Sequence, residues 1–367
     1  MKKLQHSSKP VAIWLLVGVF MIIVQIILGG ITRLTGSGLS ITEWDVITGA
    51  LPPLNKQQWV EEFHKYQQTP QYRLLNQDFT LSNFKFIFFW EWFHRLWGRL
   101  IGVVFFIPFV IFLIQRRFRT DMIKPLVILF LLGGLQGAIG WIMVASGLTG
   151  DAVYVKPTRL ALHFVFALVL LFYTFWFALR LLVKRDDKVY NTTLRNSTWV
   201  IIILLFVQLV FGALMAGHKA ATAAPTWPDI NGEFIPAYAL HPPEGFLGII
   251  ENRITVHLVH RMLAYLLVVL IVTWTLRAYR SRSSTTLFAL ARMLPLFFVV
   301  IQLVLGIATV LSSLKIVPGT WGVFEWMAQL HQLTAIFLLL SLVFALYLVQ
   351  HKERSAYKTP AFDPHVI

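Results

Sequence analysis

Apolar runs long enough to cross a bilayer recur from one end of this 367-residue chain to the other. Val11 to Leu28, Val103 to Ile114, Phe164 to Leu171 and Ile336 to Val349 are nearly uninterrupted, with short polar stretches between such runs. A bilayer core of about 30 Å takes about 20 apolar residues per helix. That criterion predicts eight spans, near residues 10–31, 84–115, 122–145, 157–183, 196–217, 253–280, 288–311 and 325–350. Only 13% of the residues are charged, where a soluble domain carries roughly 25%. An ordinary soluble enzyme is excluded, and the expected fold class is an all-α integral membrane protein.

The net charge of +15 does not point to nucleic acid, because the basic residues are dispersed over the segments between spans. They report topology instead. With the N-terminus inside, nineteen Lys and Arg fall on inner segments and ten on the much longer outer ones. The positive-inside rule then places both termini in the cytoplasm. Arg95, Arg99 and Arg261 fall within or at the edge of spans, where a charge is costly and needs a reason. The two long outer loops, about 32–83 and 218–252, are rich in Trp, Pro, Gly and Gln, and short helices and turns capping the outer face are expected there. The chain has no cysteine, which removes disulfides, cysteine-bound iron–sulfur clusters, thiolate-bound haem and thiol nucleophiles. Histidine and carboxylate must carry the chemistry.

The two halves repeat. Glu91-Trp-Phe-His94-Arg95-Leu-Trp-Gly98 in the second span aligns with His257-Leu-Val-His260-Arg261-Met-Leu-Ala264 in the sixth, 166 residues on. Gln136 and Gly140 align with Gln302 and Gly306 at the same offset, Gln25 and Gly29 match Gln208 and Gly212, and His163 matches His331. Four spans return the chain to its starting side, so the halves share one orientation and an axis along the membrane normal. The expected architecture is two tandem, parallel-related four-helix bundles, 1–190 and 191–367, a type of structure that places cofactors between facing helices.

His94, His163, His260 and His331 each lie in the early turns of an even-numbered span, at matched depth below the outer face. One intramembrane histidine is explained well enough by packing. Two repeated pairs point instead to six-coordinate haem iron with an imidazole on each axial position, one pair per half. Zinc or a di-iron centre fits less well, since neither half adds the carboxylates that such sites use. Glu91 breaks the symmetry. It lies one turn before His94, whereas His257 holds the equivalent place before His260, so the first half is the expected reactive site and the second an electron-transfer site. Arg95 and Arg261 are candidates for haem propionates, for outer-loop carboxylates or for snorkelling to the interface. The glycines Gly29, Gly30, Gly133, Gly134, Gly137 and Gly140 are expected to let helices approach closely. These residues alone leave open an enzyme, a membrane cytochrome b that passes electrons from a quinol, and a haem carrier without redox turnover.

Several segments carry a more specific pattern. Gly29-Gly30-Ile-Thr-Arg33-Leu-Thr-Gly-Ser-Gly38-Leu-Ser is followed by Trp44, Pro52-Pro53 and Phe63-His64-Lys65-Tyr66-Gln67-Gln68, and then by Glu91-x-x-His94-Arg95 with Trp97-Gly98-Arg99. Over nearly its whole length the chain resembles the haem A synthase family, in the branch found in mitochondria and proteobacteria. The resemblance implies oxidation of one ring methyl of haem O to the formyl group of haem A, through hydroxylated intermediates, for use by terminal oxidases. It implies that His94 and His163 hold the substrate haem, that His260 and His331 ligate a haem b, and that Glu91 assists the chemistry. The first outer loop lacks the cysteine pair of another branch of the family. No N-terminal targeting extension of the mitochondrial kind is seen, so a bacterial inner membrane is expected. Membrane lipid, a haem O synthase, an electron-transfer partner and a second copy of the chain are the expected partners, and nucleic acid is not.

Overall fold

The structure is a computed structural model, and it describes residues 9–43, 48–281, 284–317 and 319–350. Eight helices are long and apolar enough to cross a membrane. They are α1 (Lys9–Leu34), α2 (Leu81–Ile114), α3 (Thr120–Ala145), α4 (Pro157–Leu182), α5 (Thr192–Gly217), α6 (Arg253–Tyr279), α7 (Leu294–Ser312) and α8 (Val323–Leu348). The protein is thus a multi-pass, all-α membrane protein. A short helix, Thr286–Ala291, leads into α7, and the chain breaks between the two where Pro295 supplies no backbone donor to the first turn.

Helix starts follow from local chemistry. Asn191 caps α5, its side chain accepting from the Leu194 amide at 3.0 Å, and so marks the start of that helix. Thr80 and Asn83 form a reciprocal capping box at the start of α2. That start is three residues earlier than hydropathy indicates. At 1.5 Å per residue the 34 residues of α2 run about 51 Å, well beyond a bilayer core of about 30 Å. Its first turns stand clear of the membrane. They carry Phe84, Ile87 and Phe88 into an aromatic cluster with Tyr66, Trp59, Phe63 and Tyr72 from the short helices Lys56–Gln67 and Pro70–Leu75. The Phe63 to Gln68 motif is therefore part of a cap on the outer face; Trp44 lies outside the described residues.

Within the membrane α1 packs on α2 and α4, and α3 on α4; α5 packs on α6 and α8, and α7 on α8. The two groups of four meet through α4 against α5 and through α8 against α1 and α4. One hydrophobic core runs through both, from Val11 to Val349. Gln329 and Gln332 on α8 donate to the carbonyls of Ile27 and Ile26 on α1, at 3.3 and 2.9 Å, and Gly30 leaves room for those two amides. At the end of the bundle away from the aromatic cap, Val189–Tyr190, between α4 and α5, pairs in parallel with Val349–Gln350 after α8.

Candidate functional site

Each of the four intramembrane histidines rests against a glycine of the preceding odd-numbered helix. A Cβ on Gly29 would meet the ring of His94 at 3.2 Å, on Gly140 that of His163 at 2.9 Å, on Gly212 that of His260 at 3.3 Å and on Gly306 that of His331 at 2.9 Å. These glycines lie five residues before Leu34, Ala145 and Gly217 and six before Ser312, the outer ends of their helices. The four imidazoles therefore share a depth. Counting from helix starts gives a different result for His94, thirteen residues into α2, because α2 begins above the membrane.

All four histidines line one apolar cavity of about 1490 Å³. Across it, the rings of His260 and His331 have centroids 6.4 Å apart and planes inclined at 76°. Two metal–nitrogen bonds of roughly 2 Å and two ring radii of roughly 1.1 Å sum to about 6 Å. An iron ion thus fits between these two imidazoles. His94 and His163 face the same cavity. Nδ1 of both His94 and His260 is buried without a hydrogen-bond partner, a cost that a ligand would remove. Among the described residues, no three or more His, Asp or Glu side chains gather as a site for a bare metal ion.

Glu91 is buried, with 2% of its surface exposed, and it lines the same cavity. Its carboxylate is well occupied. Oε2 accepts from the Ser40 amide and hydroxyl, both at 2.7 Å, and from the Ile41 amide at 2.9 Å, while Oε1 accepts from Arg95 at 2.7 Å. The Gly-Ser-Gly-Leu-Ser stretch after α1 is folded around this one side chain. Sequence reasoning missed Ser40 and Ile41 as its partners, since they lie about 50 residues away and no spacing rule links them.

Arg95 and Arg261 hold outer-loop backbone rather than reaching free water. Arg95 donates to the carbonyls of Ile41 and Glu43, both at 3.0 Å. Arg261 donates to those of Thr226, Pro228 and Asp229 at 2.9, 3.0 and 2.6 Å. It also lies 3.0 Å from Nε2 of His257. A guanidinium only donates, so His257 Nε2 accepts, where Glu91 offers a carboxylate in the other half. His218, one of the loop histidines, donates to the Ile250 carbonyl at 2.8 Å.

The glycines divide into two kinds. Gly29, Gly30 and Gly140 meet side chains as close packing requires, but Gly102, Gly133, Gly134 and Gly137 have nothing within 4 Å of an added Cβ. These last four line the cavity instead of joining helices. At the repeat offset of 166 the second half has Val268, Val299, Val300 and Leu303. Of these, Val268, Val299 and Leu303 line the cavity, so larger side chains stand there in the second half.

Residues 12–343 match the family model described as cytochrome oxidase assembly protein. The chain belongs to this family. Curated relatives named heme A synthase cover most of it. That of Cereibacter sphaeroides is 40% identical over 346 residues, spanning 89% of this chain and 87% of the relative. That of Rhodospirillum centenum is 43% identical over 348 residues, 95% of this chain and 90% of the relative. That of Paracoccus denitrificans is 44% identical over 308 residues, 83% and 80% of the two chains. Membership extends across all eight spans, so both histidine pairs lie within the matched region.

Proposed function

We infer that this protein is an oxidoreductase that converts haem O to haem A, in the biosynthesis of haem A for terminal oxidases. The observation that carries this is the match of nearly the whole chain to relatives named heme A synthase, on a cavity lined by two repeated histidine pairs. The ring methyl gains one oxygen atom to become an alcohol and then loses two hydrogens to become an aldehyde, each stage a two-electron oxidation whose electrons leave to an electron-transfer partner.

The first half, 1–190, is the substrate half in this reading, and the second, 191–367, holds haem b. His94 and His163 bind the iron of haem O, and His260 and His331 bind that of haem b. Two features support the division. Haem O carries an isoprenoid chain that haem b lacks, and only the first half has glycines at 102, 133 and 137 beside the cavity. In the first half the buried carboxylate of Glu91 stands one turn before a ligand, where the second half has His257. A bound haem b supplies one-electron redox chemistry. The chain's own contribution is to exclude water, to fix the imidazoles and to hold the Glu91 side chain in place through four donors. A proton leaving the hydroxylated substrate is taken through Glu91, which exchanges one of those donors for it.

The charge pattern supports cytoplasmic termini, and the bacterial relatives support a bacterial inner membrane. A haem O synthase delivering substrate, an electron-transfer partner and a second copy of the chain are the partners consistent with this function. The deciding experiment is mass analysis of haems extracted from protein purified with and without a source of haem O. Haem O, its hydroxylated form and haem A beside haem b are expected. Haem b alone under both conditions would make the protein an electron-transfer cytochrome instead.

A further inference from the structure

The histidines have a second shared neighbour. On each odd-numbered helix a glutamine lies one turn before the glycine that receives the ring: Gln25 and Gly29, Gln136 and Gly140, Gln208 and Gly212, Gln302 and Gly306. Residues four apart share one helix face. The amide nitrogen of Gln25 lies 3.2 Å from a ring nitrogen of His94, that of Gln136 3.2 Å from His163, that of Gln208 3.4 Å from His260 and that of Gln302 3.3 Å from His331. One unit, a glutamine and glycine on one helix and a histidine on the next, is built four times. The repeat within the halves is hidden in sequence because glutamine and histidine are 69, 27, 52 and 29 residues apart.

We propose that Gln25, Gln136, Gln208 and Gln302 are positioning residues that set the orientation and proton placement of the four histidines. The proposal rests on reading those histidines as haem ligands. The glycine admits the ring to the helix surface, and the amide then fixes its rotation. At two sites the same amide also donates to the histidine's own carbonyl, Gln25 to His94 at 3.1 Å and Gln136 to His163 at 3.0 Å, tying side chain and backbone at one point. At His331 the ring Nδ1 lies 3.1 Å from the Gln302 carbonyl. A carbonyl only accepts, so Nδ1 carries the proton and the Nε2 lone pair faces the Gln302 amide. All four amide oxygens are buried without a partner. Groups that accept the ring N–H of a metal-binding histidine, as the Gln302 carbonyl does at His331, change metal affinity about 10- to 100-fold.

The test uses full-length protein carrying its haem. In Gln208→Leu and Gln302→Leu, retained haem b should pass to apomyoglobin about 10- to 100-fold faster. Its low-spin electron paramagnetic resonance signal and reduction potential should also shift. Lower yield with a wild-type signal and wild-type potential would mean that the glutamines only pack, and the proposal fails. Should the leucine variants not fold, Gln302→Glu keeps the side-chain length. An anion beside the ring stabilises oxidised iron, so its potential must move negative, and an unchanged potential again overturns the proposal. His331→Ala separates the two readings. Loss of the haem signal there with unaltered glutamine variants sinks only this proposal, whereas a persisting signal sinks the ligand assignment with it.

Discussion

Ser40 donates twice to the same carboxylate oxygen of Glu91, once from its amide and once from its hydroxyl, each at 2.7 Å. Glu91 is thereby both the buried acid nearest a histidine pair and the post around which the first outer loop is folded. The two roles separate by substitution. Glu91→Gln should lower haem A formation at least about 100-fold, as expected for a lost proton-transfer group, while haem b content stays at the wild-type level. Ser40→Ala removes one hydrogen bond to a charge and should cost about 1–3 kcal/mol of stability with haem A formation retained. Product analysis and thermal denaturation in detergent measure both. Wild-type haem A formation in Glu91→Gln would rule out a role in proton transfer.

The close approach of ring and glycine makes each site separately breakable. A Cβ at position 306 would stand 2.9 Å from His331, and one at 140 would stand 2.9 Å from His163. Gly306→Val is therefore expected to release haem b and leave haem O binding in place, and Gly140→Val to do the reverse. Extracted haem ratios from the two variants check this. Simultaneous loss of both haems from either variant would show that the two sites do not load independently.

Filling the open side of the first histidine pair tests what that space is for. Gly137→Leu installs the residue that the second half has at Leu303, and no atom lies within 4 Å of the added Cβ. Folding should be unaffected. Binding of haem O should fall at least about tenfold, through conflict with the isoprenoid chain, while a porphyrin lacking that chain still binds. Equal loss of both porphyrins would place the chain elsewhere.

The outer cap carries its own pH dependence. Tyr66 is fully buried, donates to Gln71 at 3.1 Å and accepts from Asn76 at 2.7 Å. Burial pushes its phenol up to about 12 from 10. A raised folded value stabilises the neutral form, so this contribution is fully present below pH 10 and is lost as pH rises toward 12. Tyrosinate absorbance should therefore rise together with loss of cap structure in that window. The Tyr66→Phe variant should lack that step. Lys65 beside it is held above its ordinary range by hydrogen bonds to Glu43 and Glu62, and stays charged throughout most of that rise.

Spans and histidine pairs are legible in the sequence because each is a local pattern: hydropathy over one helix, or His-Arg in equivalent turns of two helices. The register of α2 is not, because its first turn contains Asn83 and Lys85 and looks like loop until Thr80 is recognised as its cap. Nor are the partners of Glu91 and Arg95. They are mostly backbone amides and carbonyls of residues 40–43, and backbone groups leave no side-chain signature to read. Gln25, Gln136, Gln208 and Gln302 were visible as markers of a repeat. Their contact with the histidines depends on how neighbouring helices are staggered, which loops of unequal length conceal.

The overlong α2 has a mechanical meaning. Its outer turns are clamped into the aromatic cluster of the cap, and ten residues after Phe84, on the same helix, is His94. An α-helix resists compression and transmits axial displacement along its hydrogen-bonded turns. The cap is therefore joined through one unbroken helix to the turn that carries His94. Aromatic packing at one end of that rod and an imidazole facing the cavity near its middle are held in fixed register.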